Sequence, residues 1–273
     1  MCFILITLNN EGKETESPEI IAQKEISNPH GTSIFTPHDK KINRALAASE
    51  EAIERTRNAK MTIAHMRFAT TGNVSQQNTH LWQKKGAYFA HNGIVTKYSS
   101  YSIQAPGKKV EHKPTDSYLF FKSVEEFIEA DEVDTVAVSK EAAEAGVGGR
   151  FLISTQNKTY LFGDWEVTAL EGVTYITSAG INLSNVVYQN GIPFVVKENA
   201  LETDIKGVYV IDHETLLVKY LHQNKEKTYA KQPIVGFTPG YQHKQYSEHY
   251  NYDYGDIDVI PMHGARSKSK FND

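Results

Sequence analysis

Two short stretches of the chain decide its fold. Residues 64–72 read Ala-His-Met-Arg-Phe-Ala-Thr-Thr-Gly, and residues 88–95 read Tyr-Phe-Ala-His-Asn-Gly-Ile-Val. Each stretch begins with apolar residues that suit a buried strand and then changes to polar residues and glycine. The sequence therefore predicts two short strands that each end in a polar, glycine-containing cluster.

The single cysteine of the chain is Cys2, directly after the initiator methionine. Removal of Met1, which a small second residue permits, would leave a thiol and a free α-amine on the same residue. The amine titrates near ~8 and the thiol near ~8.5, so the amine can accept the thiol proton at neutral pH. A lone cysteine is otherwise a small buried apolar residue, and position 2 alone does not decide between the two.

Together with Cys2, these motifs resemble the class II glutamine amidotransferases, a family of N-terminal-nucleophile (Ntn) hydrolases. The counterparts follow the family order: Cys2, the turn 28–31, the strand end 65–72, Asn78-Thr79-His80, and His91-Asn92-Gly93-Ile94. The chain also departs from the family pattern, with Phe3 after the cysteine, His30 in place of Asp, Leu81 in place of Pro, and Thr71 in place of a His. The departures indicate a divergent branch.

The resemblance implies an α+β fold, a four-layer α/β/β/α sandwich of the Ntn-hydrolase type. It implies that Cys2 is the nucleophile and that Asn92 and Gly93 form the oxyanion hole. Arg67 would bind the α-carboxylate of glutamine, with contacts from Thr70 and Thr71, and Asp116 would bind the α-ammonium. We expect this domain to cover residues 1–238, followed by a poorly packed, tyrosine-rich tail at 239–273.

Each of these side chains also has a structural interpretation. Arg67 could form a surface ion pair, and Asp116 could be a favourable charge at a helix N-terminus. An Asn-Gly pair such as Asn92-Gly93 is common in hairpin turns. His91 is expected to be a structural hydrogen-bonding residue, because the α-amine already supplies a base.

The composition limits the classes of partner, compartment and cofactor that we expect for this protein. The formal net charge is −4, which gives no basic field for phosphate, so nucleic acid is not expected. No apolar run reaches the ~18 residues of a membrane helix, and one cysteine allows no internal disulfide, so we expect a cytoplasmic protein. No cofactor or metal is expected, since the histidines and acids of the tail fit no ligand spacing.

Local patterns predict the elements around these motifs. Residues 3–8 form a buried strand, and residues 41–59 place Ile42, Leu46, Ala48, Ala52 and Ile53 on one side of an amphipathic helix. Thr115-Asp116 caps a helix that runs to about Glu129. Short strands follow at 151–154, 159–162, 173–177 and 207–211, with Gly163-Asp164 as a loop.

The function that these observations predict is a stand-alone glutaminase-type domain that hydrolyses the glutamine side-chain amide through a thioester on the N-terminal cysteine. The ammonia would pass to an acceptor on a separate synthase subunit, or the protein would act simply as an amidase. Two other classes stay open. One is another N-terminal-cysteine amide hydrolase with a γ-glutamyl or linear amide substrate, and the other is a non-catalytic interaction protein that retains the fold.

Overall fold

The fold, taken from a computed structural model, is α+β, as predicted. The structure describes residues 2–99, 114–170, 172–179, 181, 187–189, 192–194 and 201–222. The predicted tail at 239–273, and with it the predicted domain boundary, lies outside the described residues.

The first half of the chain alternates short strands and helices. Its elements are β1 (Phe3–Asn9), α1 (Ser17–Ser27), β2 (Thr32–Thr36), β3 (Lys41–Ala45), α2 (Glu50–Glu54), β4 (Met61–Met66), a 3₁₀ turn (Gln76–Asn78), β5 (Trp82–Lys84), β6 (Ala87–Val95) and α3 (Thr96–Ser99).

The second half begins with helices and ends with long strands. Its elements are α4 (Asp116–Val124), a 3₁₀ turn (Glu125–Phe127), β7 (Ile128–Glu129), β8 (Glu132–Val133), α5 (Thr135–Ala145), β9 (Val147–Ser154), β10 (Lys158–Leu170), β11 (Val173–Thr177), β12 (Val187–Gln189), β13 (Ile192–Phe194), β14 (Leu201–Asp212) and β15 (Val218–His222).

Eleven of the described strands form one antiparallel sheet, in the order β3-β2-β4-β1-β11-β10-β9-β6-β5, with β14 and β15 added beside β10. The long strand β10 joins the two halves of this sheet. Its first part, Thr159–Phe162, pairs with β9, and its last part, Glu166–Leu170, pairs with β11. The nucleophile candidate at the start of β1 and the Asn-Gly pair in β6 therefore lie on opposite halves of one sheet.

The buried side chains show that the two halves stack as layers. Alternate residues of a strand face opposite sides, and in β1 the side chains of Ile4 and Ile6 pack in the same cluster as Leu152 and Leu161 of the other half. The outer face of β1 and β4 packs against α1 and α2. The outer face of β6, β9 and β10 packs against α4 and α5. Three apolar clusters thus separate four layers in the order α/β/β/α, as predicted.

The predicted helix at 41–59 is wrong. Residues 41–45 form β3, which pairs with β2 so that Ile42 lies opposite Phe35, and only Glu50–Glu54 are helical. The turn before β3 explains the error, because Lys40 has a positive φ of 51° and its N–H donates to the Pro37 carbonyl at 3.1 Å. A hairpin that starts in this way extends the sheet, and the spacing of apolar residues from Ile42 onward is incidental.

The predicted loop at Gly163-Asp164 is also wrong, because both residues lie inside β10. Gly163 has a φ of 101°, and a Cβ there would lie 2.9 Å from the Gly149 carbonyl oxygen. Glycine is suited to this conformation and to this close approach. Gly163 lies after the part of β10 that pairs with β9 and before the part that pairs with β11. It is therefore located where β10 crosses from one layer to the other, and it is not part of a chain reversal.

The predicted helix after Thr115 is confirmed at its start and is shorter than expected at its end. The Thr115 hydroxyl accepts a hydrogen bond from the Tyr118 N–H at 3.1 Å, as an N-cap does. The helix ends at Val124, because the chain tightens into a 3₁₀ turn and then pairs Ile128 with Val133 in a short hairpin.

Candidate active site

Cys2 lies directly before β1 and beside the end of β4. Phe3 pairs with Met66 in the β1–β4 ladder, so the residue before β1 meets the residues after β4. The Cys2 Sγ accepts a hydrogen bond from the Phe68 N–H at 3.4 Å, and the thiol can donate to the Phe68 carbonyl at 3.5 Å. The predicted nucleophile is therefore held against the predicted carboxylate-binding strand end.

The surroundings of Cys2 act on its thiol in both directions. Burial raises the pKa of the Cys2 thiol, and this is the largest effect. The hydrogen bond from Phe68 and the positive charge of Arg67 lower the same pKa, while the negative charge of Asp116 raises it. Because the net shift is upward, the thiol holds its proton at neutral pH, and attack by sulfur requires a base.

Arg67 is buried, with only 2% of its surface exposed, so the alternative of a surface ion pair does not hold. Its Nη2 donates to the Thr71 carbonyl at 2.7 Å and its Nη1 donates to the Asn73 carbonyl at 3.1 Å. These bonds use two of the five N–H groups of a guanidinium. They fix the segment 68–73 around the cation and leave other donors for a ligand.

Asp116 is buried in the first turn of α4. Its Oδ1 accepts a hydrogen bond from the Thr71 hydroxyl at 2.9 Å, and its Oδ2 accepts one from the Val95 N–H at 2.8 Å. Thr71 thus joins the two charged groups, with its carbonyl on Arg67 and its hydroxyl on Asp116. Asp116 is therefore a helix N-terminal charge that also faces the pocket, and its binding of an ammonium group stays a prediction.

One pocket collects most of the predicted site residues. Six of the seven, from four separate segments of the chain, line it: Cys2, Arg67, Thr70, Thr71, Gly93 and Asp116. Asn92 does not line the pocket. Its side-chain Nδ2 instead donates to the Ser178 hydroxyl at 2.9 Å, in a buried position directly behind Gly93.

Asn92 and Gly93 lie inside β6, paired with Arg150 and Gly149 of β9, so the alternative of a hairpin turn is wrong. The two strands approach too closely for side chains at this point. A Cβ on Gly93 would lie 1.8 Å from the Gly148 carbonyl oxygen, and one on Gly149, whose φ is 91°, would lie 2.1 Å from the Asn92 carbonyl oxygen. The pair of glycines is therefore required by the packing of β6 on β9.

Three buried histidines contact one another at the pocket, and two of them, His80 and His91, line it. The rings of His65 and His80 stack with centroids 3.9 Å apart. Both rings contact the backbone of His91, since His80 Nδ1 accepts from its N–H at 3.2 Å and His65 Nε2 donates to its carbonyl at 3.3 Å. The His91 ring pairs with the Ser117 hydroxyl and the Gly148 carbonyl, in the structural role expected for it.

Burial keeps this group neutral. It lowers the pKa of His65 to about 3 and also lowers the pKa values of His80 and His91. The hydrogen bonds agree with neutral rings, because a nitrogen that accepts from a backbone N–H cannot carry a proton. The three histidines therefore supply positioned hydrogen bonds at the pocket and no charge.

Further pocket residues were not predicted from the sequence to bind or react with a substrate. They are Phe68, His80, His91, Thr115 and Ser117. His80 and His91 lie within motifs of the sequence, so the sequence could have identified them as pocket residues. Ser117 lies next to Asp116 but forms part of an ordinary helix start, and Ser178, which bonds Asn92, follows a strand with no distinctive pattern around it.

No group of three or more His, Cys, Asp or Glu side chains that could hold a metal ion occurs among the described residues. In the same part of the chain, no helix combines the length and the apolar character needed to cross a membrane.

Comparisons with known proteins agree with the motifs. Residues 38–146 match the family model of class II glutamine amidotransferases. The matched region contains Arg67, Asn92, Gly93 and Asp116, and it covers less than half of the chain. No curated protein matches the sequence.

Some solved structures are similar to this chain in fold. The glutamine phosphoribosylpyrophosphate amidotransferase from B. subtilis is 12% identical and aligns over 80% of this chain and 49% of its own, with a TM-score of 0.50. A structure described as the allosteric regulatory enzyme of purine biosynthesis is 14% identical over the same shares, with a TM-score of 0.49. A class II glutamine aminotransferase domain protein from Silicibacter pomeroyi is 11% identical and aligns over 81% of this chain and all of its own, with a TM-score of 0.45.

At such identities the first of these structures shows the fold alone, and this chain spans about half the length of that protein. The family match and the fold confirm the resemblance to the class II glutamine amidotransferases, at low sequence identity.

Proposed function

We propose that this protein hydrolyses the side-chain amide of glutamine through a thioester on Cys2. The observation that carries the proposal is the pocket itself, which brings a thiol, a guanidinium and a carboxylate together from three distant segments. A cation and an anion at one end of a pocket are complementary to the carboxylate and ammonium of an α-amino acid. A linear amide, the substrate of other N-terminal-cysteine hydrolases, has no use for both charges.

The reaction begins with removal of Met1, which frees the α-amine of Cys2. This amine accepts the thiol proton, and the thiolate attacks the amide carbon of glutamine. Negative charge then develops on the amide oxygen, and we assign two donors to it: the N–H of Gly93, which lines the pocket, and the second N–H of the Asn92 side-chain amide, whose first N–H bonds Ser178. The α-ammonium of Cys2 returns the proton to the leaving nitrogen, and the carbon–nitrogen bond breaks to release ammonia.

Water completes the cycle. It adds to the γ-glutamyl thioester while the α-amine accepts one of its protons. The carbon–sulfur bond then breaks and the α-ammonium returns that proton to the sulfur, which gives glutamate, the free thiol and the neutral amine. The net reaction converts glutamine and water to glutamate and ammonia. The raised pKa of the Cys2 thiol makes the amine necessary in the first half, since the sulfur does not ionise by itself at neutral pH, and in the second half the amine is needed to take a proton from water.

The substrate is held by its α-carbon end. Arg67 binds the carboxylate with the N–H groups that Thr71 and Asn73 leave unused. Asp116 binds the ammonium, and Thr70 and Thr71 add contacts from the segment between them. We further propose that the ammonia passes to an acceptor on a separate synthase subunit and that the protein works in the reducing cytoplasm, where a catalytic thiol stays reduced.

Retention of Met1 tests the mechanism. We expect a preparation whose mass shows Cys2 at the N-terminus to hydrolyse glutamine and to be labelled on Cys2 by a thiol-reactive glutamine analogue. Protein that retains Met1 should keep the same melting temperature and lose the activity, because the amine is then displaced by one residue. Full activity with Met1 retained would refute the mechanism, and a properly processed protein with neither turnover nor labelling would favour a non-catalytic interaction protein.

A further inference from the structure

Ser178 connects two parts of the candidate site that lie far apart in the sequence. It is buried and follows β11 directly. The Ile4 N–H donates to the Ser178 hydroxyl at 2.8 Å, and the Ser178 N–H donates to the Ile4 carbonyl at 3.0 Å. Ser178 is thus bonded twice to a residue that lies two positions after the nucleophile.

The same hydroxyl oxygen also bonds the oxyanion candidate. The Asn92 Nδ2 donates to it at 2.9 Å. A hydroxyl oxygen has two acceptor positions, and in Ser178 both are occupied, one by the strand of Cys2 and one by the side chain of Asn92. A single oxygen atom therefore connects the strand that follows the nucleophile to the side chain of the oxyanion candidate.

The position of Ser178 is itself fixed from the side of Asn92. Arg150 donates from Nη1 to the Ser178 carbonyl, and Arg150 pairs with Asn92 in the β6–β9 ladder. Each of these three residues thus contacts the other two, and the contacts link the two sheet layers. Ser178 does not line the pocket, so any effect that it has on a substrate must pass through its neighbours.

We infer that Ser178 is a positioning residue that holds the Asn92 carboxamide in place relative to Cys2. The inference rests on the proposed function, because it assigns Ser178 a role in the same oxyanion site. An oxyanion donor contributes most when it is preorganised, since it then needs no rearrangement as charge develops. Without the Ser178 hydroxyl, the Asn92 side chain can rotate, and its donor is no longer fixed where the oxygen becomes negative.

Ser178→Ala tests the inference by steady-state kinetics on glutamine. We expect kcat to fall about tenfold and KM to stay within about twofold, because the donor is loosened but the α-carbon end is untouched. Ser178→Thr retains the hydroxyl and should recover most of kcat. Ser154→Ala is the matched control, since the buried Ser154 hydroxyl pairs only with the Thr159 hydroxyl among the bonds seen for it, and its kcat should match that of the wild type.

A double-mutant cycle separates this inference from the proposed function. If Ser178 acts through Asn92, the Asn92→Ala/Ser178→Ala variant should have the kcat of Asn92→Ala, which we expect to be lowered by about 10²-fold to 10³-fold. An unchanged kcat in Ser178→Ala, or a double variant in which the two losses multiply, would overturn the inference and leave the proposed function standing. An unchanged kcat in Asn92→Ala would remove the oxyanion role of Asn92 and this inference with it, while hydrolysis of glutamine through Cys2 would stand. Loss of turnover and of Cys2 labelling in the processed wild type would instead remove the proposed function.

A readout without turnover covers the case in which Ser178→Ala is too unstable for kinetics. In the wild type and in Ser178→Thr, the side-chain amide resonances of Asn92 should be sharp and well dispersed in a ¹⁵N spectrum, because a buried bond fixes this group. Asn92 amide resonances at random-coil positions in Ser178→Thr, despite a native melting temperature, would show that the hydroxyl does not position Asn92.

Discussion

The two helical layers of the sandwich occupy equivalent places, yet only one of them reaches the pocket. The layer of α1 and α2 covers its sheet with aliphatic side chains such as Ile20, Ile21 and Ala52. The layer of α4 and α5 covers the other half with an aromatic cluster that includes Phe120 and Phe121. The first layer contributes no residue to the pocket lining, whereas the start of α4 contributes Thr115, Asp116 and Ser117.

The direction in which each helix begins accounts for this difference. The N-terminus of α4 points at the pocket, so its cap and its first acid are buried there. In α1 the first acid, Glu19, forms an ion pair with Arg57 at 2.7 Å in a partly exposed position. A helix N-terminus favours negative charge in both places, but only the layer of α4 brings that charge to the pocket.

The largest effect that we expect is a loss of folding stability in acid, through buried histidines of which one bonds the start of α4. His91 bonds Ser117 of α4, and burial lowers the pKa of His65 to about 3, against about 6.5 in an unfolded chain. Between these values the unfolded state binds the proton and the folded state does not. The free energy of unfolding should therefore fall with decreasing pH by about 1.4 kcal/mol per pH unit for this histidine, and His80 and His91 act in the same direction.

Urea unfolding at pH 6, 5 and 4, which lie between the two pKa values, measures this slope. His65→Gln keeps an N–H donor near the position of Nε2 and removes the titration, so its slope should be shallower than that of the wild type by about 1.4 kcal/mol per pH unit. Equal slopes in the two proteins would show that His65 does not remain neutral in the fold.

The next largest effect should separate the first acids of the two helices. Asp116→Asn keeps the size of the side chain and removes its charge, and we expect kcat/KM for glutamine to fall about 10²-fold, as loss of a charged hydrogen bond worth about 3 kcal/mol would cause. Glu19→Gln is the matched change in α1. It should leave kcat/KM within about twofold and change the stability by about 1 kcal/mol or less, as for exposed ion pairs.

Steady-state kinetics and thermal melts on both variants test this pair. If Asp116→Asn and Glu19→Gln lower kcat/KM equally, the charge at the start of α4 serves the fold alone, and the contrast between the layers does not extend to substrate binding.

The sequence predicted which site residues lie close together better than it predicted the helices and strands between them. The order of the motifs was sufficient because β1 pairs with β4, and this pairing alone places Cys2 beside Arg67 and Phe68. The predicted helix at 41–59 was wrong because Lys40, whose φ is positive, belongs to a turn that starts a hairpin, and the spacing of the apolar residues after it does not override that turn. The helix α1 was not predicted, since the stretch 9–19 that leads into it is polar and turn-like.

The contacts behind the pocket could not be predicted from the sequence. The stacking of His65 on His80 and the bond from Asn92 to Ser178 join residues 15 and 86 positions apart. Neither contact has a local pattern, because each depends on how the two sheet layers are aligned. The predicted site residues fall in motifs, whereas the residues that hold them in place are found only from the packing.

The smallest expected effect compares the two helix caps. The Thr115 hydroxyl accepts from the Tyr118 N–H in α4, and the Ser49 hydroxyl accepts from the Ala52 N–H at 3.2 Å in α2. Replacement of either residue by Ala should lower the free energy of unfolding by about 1 kcal/mol, which denaturant titration can measure. Only Thr115→Ala should also raise KM for glutamine, by a few-fold, because fraying at the start of α4 displaces Asp116. Thr115→Ser keeps the cap and should restore both values. A raised KM in Ser49→Ala as well would mean that any loss of stability loosens the pocket, and the two layers would then differ in position but not in function.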